Sequence, residues 1–237
     1  QIIMKKSISI IIPLYNEGKG LENILNKINN MINKLFDDYE LLIFNDGSKD
    51  KTGEIIDKLA KKNSKIRAFH NKKNMNLGYN YRIGIKHATK KYLMLLPGPD
   101  SMTMSSIEEF IKHTGEKEVI SAYIGNQETR TFIRKSISKS FVIAMNLLFG
   151  LKLRHYLSLA IYETKLVKNI KMTTNSFGLA AEILIRSIKM GYSHKEFPIY
   201  GNMNDKTTTC FRMKNIVGIG RVVLRLFFEM NFVKNDK

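Results

Sequence analysis

Polar side chains able to grip a small charged molecule gather at two points in the sequence. The first is Pro13-Leu14-Tyr15-Asn16-Glu17, and the second, about thirty residues on, is Asn45-Asp46-Gly47-Ser48-Lys49-Asp50-Lys51-Thr52. Each follows an apolar run. A carboxylate at a strand terminus, as Asp46 would be, can accept hydrogen bonds from a nucleobase or a ribose, and Tyr15 can support a base or contact a phosphate. Each cluster alone also has a plainer reading: Asp46-Gly47-Ser48 makes a turn, and Ser48 or Asp50 caps a helix that starts at Thr52.

The elements that must position these clusters follow from periodicity. Ser7 to Leu14 is continuous and β-branched, as in a buried parallel strand, and a helix begins near Leu21. Leu41-Leu42-Ile43-Phe44 predicts a second strand, followed by a helix over Thr52 to Lys62 with Ile55, Ile56 and Leu59 on one face. Ile66 to His70 predicts a third strand and Gly78 to Thr89 a helix. A fourth strand, Tyr92 to Leu96, ends at Pro97-Gly98-Pro99-Asp100. Four strand–loop–helix units in succession predict an α/β fold with a doubly wound, mostly parallel sheet. Ligands of such sheets bind at the carboxyl ends of the strands, so the loops at Pro13, Asn45 and Pro97 should share one site. Val119 to Tyr123 reads as a fifth strand, Ala180 to Met190 as a helix, Glu196 to Tyr200 as a strand, and Met213 to Phe232 as a closing amphipathic helix. With no repeat or low-complexity linker, residues 1–237 are expected to form a single domain.

Charge narrows the partners. The chain has 39 Lys and Arg against 21 Asp and Glu, a formal net charge of +18. Residues 130–162 hold no acidic side chain but include Arg130, Arg134, Lys135, Lys139, Lys152 and Arg154, interleaved with Phe141, Val142, Ile143, Leu147, Leu148 and Phe149. Such a stretch reads either as a surface that lies on an anionic membrane or as a helix whose apolar face meets the sheet. Nucleic acid is the weakest partner, because the basic residues lack an aromatic stacking platform. Met4 to Pro13 is too short and too strand-like for a secretory signal, and no run of about 18 apolar residues is free of charge. The single cysteine, Cys210, fits a reducing compartment, and His70, His87, His113, His155 and His194 show no ligand or triad spacing. A peripheral protein on the cytoplasmic face of a membrane is the expectation.

A strand ending Pro-x-Tyr-Asn-Glu, then one ending Asn45-Asp46-Gly47-Ser48-x-Asp50-x-Thr52, resembles the family 2 glycosyltransferases of GT-A fold. Asn74-x-Asn76-Leu77-Gly78, with Gly84 and Ala88, is similar to that family's third helix. Arg134-Lys135-Ser136-Ile137-Ser138, the Phe177-to-Glu182 segment and Glu196-Phe197-Pro198 resemble the dolichol-phosphate mannosyltransferase and polyprenyl-phosphate glycosyltransferase branch. The resemblance implies an inverting transferase that takes a nucleotide-sugar donor on Pro13, Tyr15, Asn16, Glu17, Asn45 and Asp46, with a polyprenyl phosphate as acceptor. It also implies a divalent cation, Mg2+ or Mn2+, bound at an Asp-x-Asp after the fourth strand.

Departures from the family pattern shape the chemistry expected. Asn45 replaces the leading aspartate of the second loop, which leaves Asp46 as the base-contacting carboxylate. The Asp-x-Asp position reads Pro97-Gly98-Pro99-Asp100, so Asp100 alone would hold the metal with phosphate oxygens and water, or the segment is a rigid turn that binds metal poorly. The aspartate that serves many family members as general base would fall at Leu179-Ala180, where no carboxylate stands. A phosphate monoester is already ionised near neutral pH and needs cations rather than a base. Arg134 and the Ser138 hydroxyl offer that grip. Glu182 is the rival: a shifted alignment makes it the base, whereas its plainer role is an ion pair with Arg186. An arginine-bearing loop that closes on the donor phosphates in the mannosyltransferase branch is replaced here by Asn204 to Thr209, where Lys206 is the remaining cation. Residues 130–162 and 203–237 are thus expected to face acceptor and membrane. Two readings compete with polyprenyl-phosphate transfer: the same fold acting on a glycan hydroxyl in cell-surface polysaccharide synthesis, and a catalytically lapsed nucleotide-binding protein at a membrane.

Overall fold

The computed structural model describes residues 4–97, 102–126, 132–201 and 213–232. Seven strands form one sheet in the order β3-β2-β1-β4-β6-β5-β7. These are β1 (Met4–Leu14), β2 (Phe36–Asn45), β3 (Ile66–His70), β4 (Tyr92–Leu95), β5 (Val119–Ile124), β6 (Ala160–Glu163) and β7 (His194–Ile199). All neighbouring pairs run parallel except those of β6, which lies antiparallel between β4 and β5.

Alternation along the strands divides the core into two layers. Ile8, Ile10 and Ile12 of β1, with Leu41 and Ile43 of β2, face α1 (Leu21–Leu35), α2 (Thr52–Lys62) and α4 (Met104–Lys112). Ile11 of β1, with Leu42 and Phe44 of β2, faces the opposite layer. That layer holds α3 (Leu77–His87), α5 (Phe132–Phe149), α6 (Thr164–Lys168), α7 (Leu179–Lys189) and α8 (Met213–Phe232). α3 lies close on β1 at Gly84, where a Cβ would stand 2.7 Å from Ile11 Cγ2. Near the amino ends of β3 and β4, Glu40 is buried and accepts hydrogen bonds from the Ser9 hydroxyl, the Thr89 amide and hydroxyl, and Arg67.

Several elements match the limits read from sequence, notably Thr52–Lys62, Ile66–His70 and Met213–Phe232. Three were not anticipated: α4, β6 and α6. The basic stretch 130–162 is not one surface element. It is a helix to Phe149, a turn at Gly150 with φ +59°, and then a segment that delivers Leu159, Ala160, Ile161 and Tyr162 into the buried sheet.

Candidate active site

Sheet register brings the carboxyl ends of the first strands together. Leu14 pairs with Asn45, and Asn45 with His70, while backbone bonds run from Asp46 N to Leu14 O (2.8 Å) and from Asn71 N to Asn45 O (2.9 Å). The loops after β1 and β2 are then fastened to each other by side chains. Asn16, at φ +55°, donates its amide to Ser48 Oγ (3.0 Å) and accepts from Lys49 N at Oδ1 (2.9 Å). Glu17 N reaches Thr52 Oγ1 (2.9 Å), and Gly18 N reaches Asp50 Oδ2 (2.9 Å). Asp50 also accepts from the Thr52 hydroxyl and amide at the start of α2, and the hydroxyl bond above all holds its carboxyl below the usual range. Neither of the two capping residues proposed from sequence stands at the cap: Lys51 does, without a side-chain bond, while Asp50 one residue earlier accepts from Thr52 and Ser48 serves the other loop.

Asp46 departs from the expected geometry. Its carboxylate is not turned to an open crevice: the residue is 4% exposed. Oδ1 accepts from Asn71 Nδ2 (2.8 Å) and Met75 N (2.8 Å), and Oδ2 accepts from Asn76 N (3.1 Å). Buried amides without partners are costly, and the Asn71–Asn76 segment has no strand or helix to satisfy them, so the carboxylate organises this loop. Asn71 Nδ2 also reaches Asn80 Oδ1 (2.7 Å), tying the loop to the first turn of α3. Asn45 is likewise turned inward, accepting from Ser48 N and donating Nδ2 to His70 Nδ1 (3.2 Å). That fixes the proton of a neutral His70 on Nε2, which faces Asp57 (3.0 Å). Pro13 is buried within β1, whereas Tyr15, 46% exposed, stands in the open at its end. Asn16 and Glu17 are exposed beside it.

A fourth loop joins this edge. Residues 173–178, which lead into α7, press on the amino end of α3 so closely that a Cβ on Gly78 would lie 2.6 Å from the Asn175 carbonyl carbon. Arg82 of α3 donates to Asn175 Oδ1 (2.8 Å). Glu182 of α7, 0% exposed, accepts from Thr173 N (3.1 Å) and Thr173 Oγ1 (2.7 Å), and from Arg186 Nε (3.1 Å). Arg186 in turn reaches Glu229 of α8. The ion pair expected four residues on is present, and the extension to α8 had no signal in local spacing.

Residues 9–181 match the model of "Glycosyl transferase family 2". The chain belongs to that family. This glycosyltransferase is 30% identical over 127 residues to an uncharacterised glycosyltransferase of Rickettsia bellii (strain RML369-C), covering 54% of this chain and 18% of the relative. It is 27% identical over 123 residues to glycosyltransferase GlyG of Streptococcus pneumoniae serotype 4, covering 52% and 40%. Against dolichyl-phosphate beta-glucosyltransferase ALG5A of Trichomonas vaginalis it is 26% identical over 216 residues, covering 84% and 66%. The chain thus spans well under half the length of the first two relatives. Among solved structures, glucosyl-3-phosphoglycerate synthase of Mycobacterium tuberculosis, with Mn2+, UDP and phosphoglyceric acid, superposes at TM-score 0.65 with 13% identity, covering 94% of this chain and 78% of that one. The mannosyltransferase PcManGT of Pyrobaculum calidifontis, with GDP-Man and Mn2+, gives 0.66 with 14% identity, covering 96% and 68%. The shared fold is GT-A.

Arg134 and Ser138, expected from sequence to hold an acceptor, lie one turn apart in the first half of α5, and Ser138 is partly exposed. In the carboxyl half of that helix the apolar residues divide between a buried face and an exposed one. Met145 and Phe149 are buried in the core and Phe141 and Val142 pack against it, while Ile143, Leu147 and Leu148 point outward with Phe132, Ile133 and Ile137. Asp100 and Lys206 lie outside the described residues. Among the described residues no three His, Cys, Asp or Glu side chains converge as a metal site, and no helix is long and apolar enough to cross a membrane.

Proposed function

We propose that this glycosyltransferase, acting as one domain over residues 1–237, moves a sugar from a nucleotide-sugar donor to a polyprenyl phosphate on an anionic membrane at the cytoplasmic face. The observation that carries the reading is the state of Glu182. It is the carboxylate nearest the place where the family's general base is expected, and it is closed off, with both oxygens held by Thr173 and Arg186. A hydroxyl acceptor must surrender a proton; a phosphate, with a second pKa of about 6, has already lost it. The acid-free helix α5 supports the same choice, since Arg134 and Ser138 would hold an anion with no neighbouring acid on that helix to neutralise them. The dolichyl-phosphate glucosyltransferases among the relatives point the same way.

In this scheme a phosphate oxygen forms a bond to the anomeric carbon as the bond from that carbon to the nucleoside diphosphate breaks, with inversion. Tyr15, Asn16 and Glu17 line the donor loop, Asp46 and Asn45 shape it from beneath, and Lys206 attends the diphosphate. The divalent ion, Mg2+ or Mn2+, would be held by Asp100 and the diphosphate oxygens and would neutralise charge on the leaving group.

The test offers a panel of nucleotide sugars with dolichyl or undecaprenyl phosphate and follows sugar transfer into the lipid phase, with and without chelator. Arg134→Ala should raise the acceptor KM or lower kcat at least tenfold and leave nucleotide affinity unchanged. Glu182→Gln should keep most of the activity per folded molecule. An inactive, folded Glu182→Gln protein with normal donor binding would transfer the assignment to a hydroxyl acceptor, and donor binding without any turnover would mark a lapsed enzyme.

A further inference from the structure

Helix α8 has two faces with different business. Inward, Ile219, Val222 and Leu226 are buried, the last two in the core layer that also holds α5 and α7. Outward, Val217, Arg221 and Leu224 follow at i, i+4 and i+7, one stripe of the helix, and Leu224 is 61% exposed. The outward residues of α5 continue this apolar and basic character. Across α5 and α8 the sequence holds a single carboxylate, Glu229, and that one is turned in to Arg186. Neither helix therefore offers an acid to its surroundings, which suits a negatively charged lipid surface.

The inward face of α8 is joined to the donor loop by a continuous path. Gly218 and Val222 abut the 173–178 loop: a Cβ on Gly218 would be 3.2 Å from Ser176 Cβ, and one on Gly178 would be 3.1 Å from Val222 Cγ2. Arg225 donates to the Thr173 carbonyl (3.0 Å), and Glu229 holds Arg186, which holds Glu182, which holds Thr173. The same loop presses on Gly78 and bonds Arg82 of α3, and α3 begins where Met75 and Asn76 donate to Asp46.

We propose that α8 is a lipid-responsive strut: seating its Val217–Arg221–Leu224 stripe on an anionic bilayer steadies the 173–178 loop and, through α3, the Asp46-held donor loop, so that nucleotide binding tightens at the membrane. A helix already ordered by lipid leaves less ordering for the donor to impose. By linkage, the donor must tighten lipid binding by the same factor. The proposal rests on the donor site described above and adds its regulation.

The experiment uses the full chain with phosphatidylcholine vesicles, with and without phosphatidylglycerol. It follows amide hydrogen exchange at residues 71–76 and 173–178, vesicle cosedimentation, and the Kd for UDP and GDP. Anionic vesicles should slow exchange in both segments and lower the nucleotide Kd about fivefold, within the usual range of coupling between sites. Leu224→Asp should abolish vesicle binding and both responses. Arg225→Gln combined with Glu229→Ala, which removes both polar links from α8 to Thr173 and Arg186 and leaves the outer stripe intact, should still bind anionic vesicles while the Kd change falls below twofold. Vesicle binding with unchanged exchange in either segment overturns the proposal, as does full coupling in that double variant, or an absence of vesicle binding with the stripe buried in a dimer. Slowed exchange with neither nucleotide bound would keep the strut and remove the nucleotide-sugar reading instead.

Discussion

Replacing Asp46 with asparagine separates a carboxylate that builds the donor loop from one that only touches the donor. In the folded protein three N–H groups, from Asn71, Met75 and Asn76, point at the two oxygens of this buried carboxylate. An asparagine keeps one oxygen, so two donors keep a weaker, uncharged acceptor, and the third, Asn76 N, meets the new amide NH2. Hydrogen bonds to a charged group contribute about 1.5–3 kcal/mol each, and an orphaned buried donor costs about 1–3 kcal/mol. The sum, allowing for relaxation, is a loss of about 3 kcal/mol. For a chain of this size each 1 kcal/mol moves Tm by roughly 2–4 °C, so Asp46→Asn should melt roughly 6–12 °C below the parent. Thermal unfolding by circular dichroism reads the shift, and hydrogen exchange should show amides 71–76 opening first. A variant that melts within about 2 °C of the parent yet has lost nucleotide binding would refute the reasoning and return Asp46 to direct contact with the donor.

Other perturbations follow from the same structure. Burial pushes His194, whose Nε2 lies 2.8 Å from Ser121 Oγ, down to about 4, while the unfolded chain takes up that proton near 6.5. Its contribution is intact above about pH 6.5 and lost as pH falls towards 4, by no more than about 3 kcal/mol before discounting for partial exposure, so a His194→Gln protein should show a flatter stability profile across that window. Burial raises the Glu40 carboxyl, but the bonds from Ser9, Thr89 and Arg67 together outweigh it and leave the group below the ordinary glutamate value. Its stabilisation is full above about pH 4.5 and disappears as pH drops through the folded value; Glu40→Gln should lower urea midpoints at pH 7 and remove that acid limb. Gly84→Ala should cost about 1–3 kcal/mol, since the added methyl meets Ile11 side-chain atoms under 3 Å away, and an unchanged urea midpoint would mean α3 can lift freely from β1.

The strand–loop–helix units were legible because each carries its own signal: a β-branched run, a polar break, then apolar residues at helical spacing. The α4 helix carries such a signal as well, since Thr103 accepts from Ser106 N and Ile107, Phe110 and Ile111 form the buried face, but it follows directly on the Pro97–Asp100 break, which masks its start. β6 offered far less. Four residues long, reversed in direction and embedded in a basic stretch, it has no alternation to detect, and its place is set by β4 and β5 rather than by its own residues. At the site, spacing located the loops and not the direction of Asp46, because the groups that claim its carboxylate come from Met75 and Asn76. The Glu182–Arg186 pair was readable at i, i+4; Glu229 reaches it only once α8 has folded back.

The reversed strand β6 also sets the order in which the molecule can be assembled. β4 and β5 do not pair with each other; β6 alone stands between them, paired with both and made after both. A nascent chain that has passed residue 124 therefore holds β3-β2-β1-β4 with one flank of β4 open, and β5 has no sheet to join until residues 160–163 leave the ribosome. Tyr92 to Leu95, wholly buried in the finished protein, is an adhesive edge during that interval. Truncations that stop short of residue 160 should accumulate as aggregates, and in the cell this transferase should call on holding factors most heavily midway through synthesis.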